Sequence, residues 1–167
     1  MGLNTTPRTW VVSEVVTAAE LNTEIRDALT GLQAAYASWT PALTATTTNP
    51  TMGTGSSVTG TYLQVGKHIT GTLEIVAGTS GFVAGSGTYR ISLPVAQVAA
   101  ATTNGRVIGD GFFFDSSTST FYHLMAVAAS STTASLVLDV AGTMSAVAPV
   151  VSANNDQWRL KLDYQAA

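Results

Sequence analysis

No cysteine occurs among the 167 residues of this chain, which excludes disulfides and thiolate metal sites and leaves the redox compartment open. Charge is almost as scarce. Only 10% of the residues are charged, against roughly a quarter in an average soluble domain. None at all occurs from Ala28 to Gly66 or from Ser116 to Leu138. The polar surface is therefore built mainly from Thr, Ser, Asn, Gln and Gly, and neutral stretches of this length suit a surface covered by other chains. With a net charge of −3 there is no excess of Lys and Arg for phosphate contacts, so nucleic acid is not an expected partner.

Long apolar runs are missing too. None approaches the roughly 18 residues of a membrane span, and the opening MGLNTTPRTWVVSEVV lacks the basic-then-apolar plan of a signal peptide. The expectation is a protein made in the cytoplasm, with no export signal of the usual kind and no membrane insertion. Gly2 and Thr6 match two positions of a myristoylation signal, a match too small to carry that modification.

Groups that do chemistry are few. His68 and His123 are the only histidines, each inside an expected strand and without a carboxylate at a helpful local spacing, which reads as surface or interface histidine rather than base or ligand. No GxSxG, HExxH or P-loop pattern occurs. GTGSS and GSGT open onto no helix and no lysine and read as turns. DGFFFD and NND lack the spaced acids of a calcium loop, and Asp110–Gly111 is a stock pair for a tight turn. These readings give a non-enzymatic protein with no catalytic residue, no metal and no cofactor.

What is present divides in two. Thr17 opens a helix with a capping box to Glu20, and Glu14, Glu20, Glu24 and Asp27 gather where the helix dipole favours negative charge. Pro41 forbids continuation beyond about Trp39, so the predicted helix covers residues 17–39. Leu21, Ile25, Ala28, Leu32, Ala35 and Trp39 advance by alternating steps of four and three, a heptad seam of about three repeats that Leu29 and Tyr36 broaden. A helix of this length is marginal alone in water. It packs either on its own β domain or on copies of itself, and self-association is favoured because the downstream sequence looks like a complete sandwich. Residues 1–16 form an apolar arm with Trp10, Val11, Val12 and Val15. Trp10 either docks on a neighbouring surface or folds back on its own domain.

From Thr40 onward, strand and turn signals alternate. DQWRLKLDYQ is the clearest strand, with Trp158, Leu160, Leu162 and Tyr164 on one face and Arg159, Lys161 and Asp163 on the other. RVIGDGFFFD and TFYHLMAVAA flank SSTS as a hairpin. Phe112 and Phe114 share one face while Phe113 takes the other, which leaves either core on both sides or a subunit interface. Roughly seven or eight short strands imply a jelly-roll-like antiparallel β-sandwich over residues 40–167.

The leader RTWVVSEVVTAAELNTEIRDALTGL resembles that of small bacteriophage virion proteins. WTPALTATTTNPTMGTG, GTYLQVGK, GTYRISLPV and the ending DQWRLKLDYQAA resemble a β module of phage tail fibres, minor tail proteins and related appendages. The resemblance implies a homotrimer on the virion exterior, with the helix at the attachment end and the sandwich outward. Leu21, Ile25, Leu32 and Trp39 would then line the axis, Ala28 and Ala35 would allow close approach, and Trp10, Val11, Val12 and Val15 would contact other virion proteins of tail or capsid. A short tail fibre or spike that adsorbs to the host surface is the leading expectation. A capsid decoration or head fibre stabilising the shell is an alternative, and a lectin-like module for host glycan another. For sugar binding the aromatic candidates are Tyr62, Tyr89, Phe113 and Tyr122. A glycan-cleaving activity would need two carboxylates about 5–9.5 Å apart among Glu74, Asp110, Asp115, Asp139, Asp156 and Asp163, several of them at turns.

Overall fold

The computed structural model describes residues 8–33, 35–98, 106–139, 142–145 and 150–167, with backbone only at residues 32 and 142. Among the described residues ten antiparallel strands make one sheet: β1 (Ala37–Trp39), β2 (Leu43–Ala45), β3 (Ser57–Val65), β4 (His68–Val76), β5 (Tyr89–Ser92), β6 (Val107–Asp115), β7 (Thr120–Ala128), β8 (Thr133–Leu138), β9 (Gly142–Thr143) and β10 (Gln157–Gln165). Their order is β1-β3-β4-β10-β6-β7-β8-β5-β2, with β9 on β8. The fold is mainly β, with a single helical segment before it among the described residues.

Chain connectivity compels the sheet to curl. β1 and β2 stand at opposite ends of the strand order, and eight interstrand steps would part them by about 38 Å in a flat sheet. Yet only residues 40–42 join them, a link that spans at most about 14 Å. The two ends must come round to meet.

One long ribbon makes the bend. The β3–β4 ladder continues through the bridges Thr54–Ser80, Thr51–Val83 and Thr48–Ser86 into the β2–β5 ladder. Gly85 is needed in that corner: its φ is +69°, and a Cβ there would meet the Thr48 carbonyl oxygen at 2.2 Å.

The curl packs β5 over β10. Trp158 lies against Tyr89 and Phe113, with ring centroids 6.2 and 5.3 Å away, and its indole N–H donates to Met144 Sδ at 3.4 Å. Ile69, Ile75, Ile91, Ile108, Leu124, Leu136, Leu138 and Leu162 complete a core from which water is excluded. Tyr164 ties the loop after β5 to β10, donating to the Val95 carbonyl at 2.7 Å and accepting the Val95 N–H at 3.2 Å. Burial, partly offset by that bond, raises its phenol to about 12.

The period-two reading of the last strand holds, since Trp158, Leu160, Leu162 and Tyr164 are buried while Arg159, Lys161 and Asp163 are exposed. The SSTS hairpin also forms, pairing Asp115 with Thr120. Asp115 caps its turn by accepting from Ser117 and Thr118. Asp110 and Gly111, by contrast, lie inside β6 rather than in a turn.

The helix is shorter than its sequence suggested. It starts at the Thr17 capping box and runs as α1 (Ala18–Leu21), a π-helical segment (Asn22–Arg26) and α2 (Asp27–Leu32). It stops there, and Ala37–Trp39 become β1. Trp39 pairs with Gly60 and packs on the core, where a side chain at residue 60 would collide with the indole, a Cβ falling 2.4 Å from Nε1. Burying a large aromatic in this way outweighs another turn of helix after Gly31.

Tyr164→Phe removes both hydrogen bonds to Val95 while keeping the ring. It is expected to destabilise the protein by about 1–3 kcal/mol, read as a lower urea midpoint at unchanged m-value.

Candidate functional site

Two exposed surfaces stand out, one on the helix and one on the sheet. On the helix Leu21, Ile25 and Leu29 are 44, 51 and 54% exposed. The π-helical turn, whose Asp27 N–H donates to Asn22 O, adds a residue to one turn and rotates the rest of the helix relative to its start. The large exposed side chains are therefore spaced by four, and Ala28, expected in the seam, is a half-buried flank. Ala35 lies exposed in the link after the helix and Trp39 in the sheet, so neither continues the seam. The Leu32 side chain falls outside the described residues.

The arm folds onto the start of this helix. Arg8 forms ion pairs with Glu14 and Glu20, its N–H donates to Glu24 at 3.3 Å, and its guanidinium lies over the Trp10 ring at 5.1 Å. The Arg8 hydrogen bond, with further bonds from the Thr17 N–H and hydroxyl, draws the Glu20 carboxyl down to about 2. Trp10 thus stacks under Arg8 and stays 41% exposed, while Val11, Val12 and Val15 are 70, 94 and 84% exposed.

The second surface is the solvent face of β3, β4, β10 and β6. Because these strands alternate in register, two rows cross it: Thr59, Glu74, Arg159 and Phe112, then Thr61, Thr72, Lys161 and Asp110. Together they line an open groove of about 410 Å³, within the usual range of ligand sites. Arg159 donates to Glu74 Oε1 through Nε at 2.8 Å and Nη2 at 2.5 Å and lies 5.7 Å from the Phe112 ring centre. The Thr61 and Thr72 hydroxyls are 3.1 Å apart. Beside the groove Phe121, 64% exposed, meets Phe112 edge-on at 5.2 Å and Phe114 at 4.7 Å.

The aromatic candidates for sugar contact lie elsewhere. Tyr89 and Phe113 are fully buried, while Tyr62 and Tyr122 pack against the core from its edge, Tyr122 stacking on Phe113. Strand alternation turns Phe112 and Phe114 to the other face, a sequence signal that, with the outward Arg159 and Lys161 of the last strand, pointed to this surface. Of the six carboxylates, Glu74 and Asp110 share the groove, with Glu74 already engaged by Arg159. Asp115 and Asp156 serve turns instead. Burial raises the Asp156 carboxyl despite hydrogen bonds from Ser116 and Ala153, whereas bonds from Ser117 and Thr118 outweigh burial and lower Asp115. Asp163 faces His68 Nε2 at 3.7 Å with both exposed, and His123 is exposed opposite Phe112. Among the described residues no three His, Asp or Glu side chains gather to hold a metal ion, and no helix is long and apolar enough to cross a membrane.

Comparison with protein-family models, with curated proteins and with solved structures found no match.

The Arg8 clamp has a pH signature. Since the Glu20 carboxyl is lowered, the clamp's contribution is complete above the ordinary carboxyl range and is lost as pH falls through about 2. Arg8→Ala is expected to shift the Glu20 titration upward toward the ordinary value of about 4.3, as followed by the carboxyl carbon resonance.

Proposed function

We propose that this chain is a non-enzymatic structural subunit of a bacteriophage virion, a homotrimeric appendage on the particle exterior. Its helices bundle, its arm anchors to other virion proteins, and its curled, jelly-roll-like β domain faces the host surface. The observation that carries this reading is the apolar row Leu21, Ile25 and Leu29 on a helix whose side chains lie outside the β-domain core.

A helix this short is marginal by itself. Burying each large side chain of the row against identical helices contributes roughly 1.5–3 kcal/mol, and closed symmetry satisfies every copy at once. Val11, Val12 and Val15, exposed beside the helix start, offer the contact with the particle. The choice of three copies rather than two rests on the resemblance of the leader and β module to phage appendages. Trimerisation would multiply any weak surface affinity by about 10²–10⁴ where geometry allows all heads to engage.

Light scattering on the purified chain is expected to return the mass of three copies. Leu21→Asp combined with Ile25→Asp is expected to return one copy whose β domain is still folded by circular dichroism, because both side chains lie outside the β core. A monomeric wild-type chain overturns the proposal.

A further inference from the structure

We infer that the groove across β3, β4, β10 and β6 is a binding site for a neutral oligosaccharide. This gives the adsorption role proposed above a site and a ligand class. It rests on the surface of one chain, so a monomer that binds sugar would sink the trimer and leave this inference standing.

The groove is built to offer donors and acceptors side by side. Arg159 spends Nε and Nη2 on Glu74 Oε1, which leaves Arg159 Nη1 as a donor and Glu74 Oε2 as an acceptor on a pair already held in place. Lys161 and Asp110 stand opposite each other on β10 and β6 in the next row and add a second donor and a second acceptor. A sugar hydroxyl both donates and accepts, so two neighbouring hydroxyls on one ring match a guanidinium beside a carboxylate. Adjacent strands hold the backbones that carry these groups about 4.8 Å apart.

The apolar end supplies the other half of sugar recognition. Phe112 and Phe121 meet edge-on at the margin of the groove, with Phe121 64% exposed, and a phenyl face takes the C–H face of a pyranose ring. Preorganisation favours this surface too. Its four strands each run nine residues, and Arg159 is held between Glu74 and Phe112 before any ligand arrives.

Other ligands fit less well. Two bases stand against two acids, so the groove has no net positive field for phosphate or sulfate. A peptide strand would need an open sheet edge, whereas β4, β10 and β6 are each paired on both sides. An apolar helix would desolvate the Arg159–Glu74 pair together with Lys161 and Asp110.

The test uses the full chain on a printed array of neutral gluco-, galacto-, manno- and N-acetylhexosamine oligosaccharides, with sulfated forms of the same backbones alongside. Neutral oligosaccharides are expected to bind, and titration calorimetry with the strongest should show at least a tenfold loss for Lys161→Met and for Asp110→Asn. Both side chains are exposed, so thermal midpoints should stay unchanged. Phe121→Ser should weaken the same ligand, and Lys67→Met, exposed outside the groove, should not. Absence of binding to every neutral oligosaccharide overturns the inference. So does binding confined to sulfated forms and abolished by salt, or neutral binding that both groove substitutions leave intact.

Discussion

Everything in the β domain depends on the short link of residues 40–42, which holds the two outermost strands of the sheet within a few residues of one another. A sheet with its ends tied must roll, and rolling gives it an inside. Inside residues lose water and pack at the density of a protein interior, which is why Trp158 meets Tyr89 although several strands lie between β10 and β5 in the order. The long ribbon from β2 through β5 is the material of that roll. Its glycine-rich corner lets two strands leave one part of the sheet and enter another without breaking their pairing.

Once an inside exists, the scarcity of charge becomes meaningful. Four of the few charged side chains stand in two adjacent rows on the outer face, arranged as acid beside base. The Arg8 clamp concentrates others at the helix start. At these two places charge positions groups.

Local signals are legible where one physical rule acts alone. The Thr17–Glu20 capping box forms as its spacing requires, because both partners lie within one turn. The last strand alternates because one of its faces is wholly buried and the other wholly wet. Trp39 departs from its expected place because two rules compete there. Its spacing continues the heptad, but its indole gains more by lying over Gly60 in the sheet, a partner distant in sequence. The groove is illegible for a related reason. Thr59, Glu74, Asp110 and Arg159 come from four strands, and no local spacing links them.

By itself the sequence determined that the protein is mainly β, that one helix precedes the strands and where that helix begins, and which side chains share a face within each strand. Those properties come from backbone periods and short-range hydrogen bonds. Only the tertiary structure decided which face became the interior, where the helix gave way to β1, and which strands became neighbours. Those outcomes depend on closing the sheet through residues 40–42 and on burial against distant partners, and free energies of that kind are shared among residues that no local window contains.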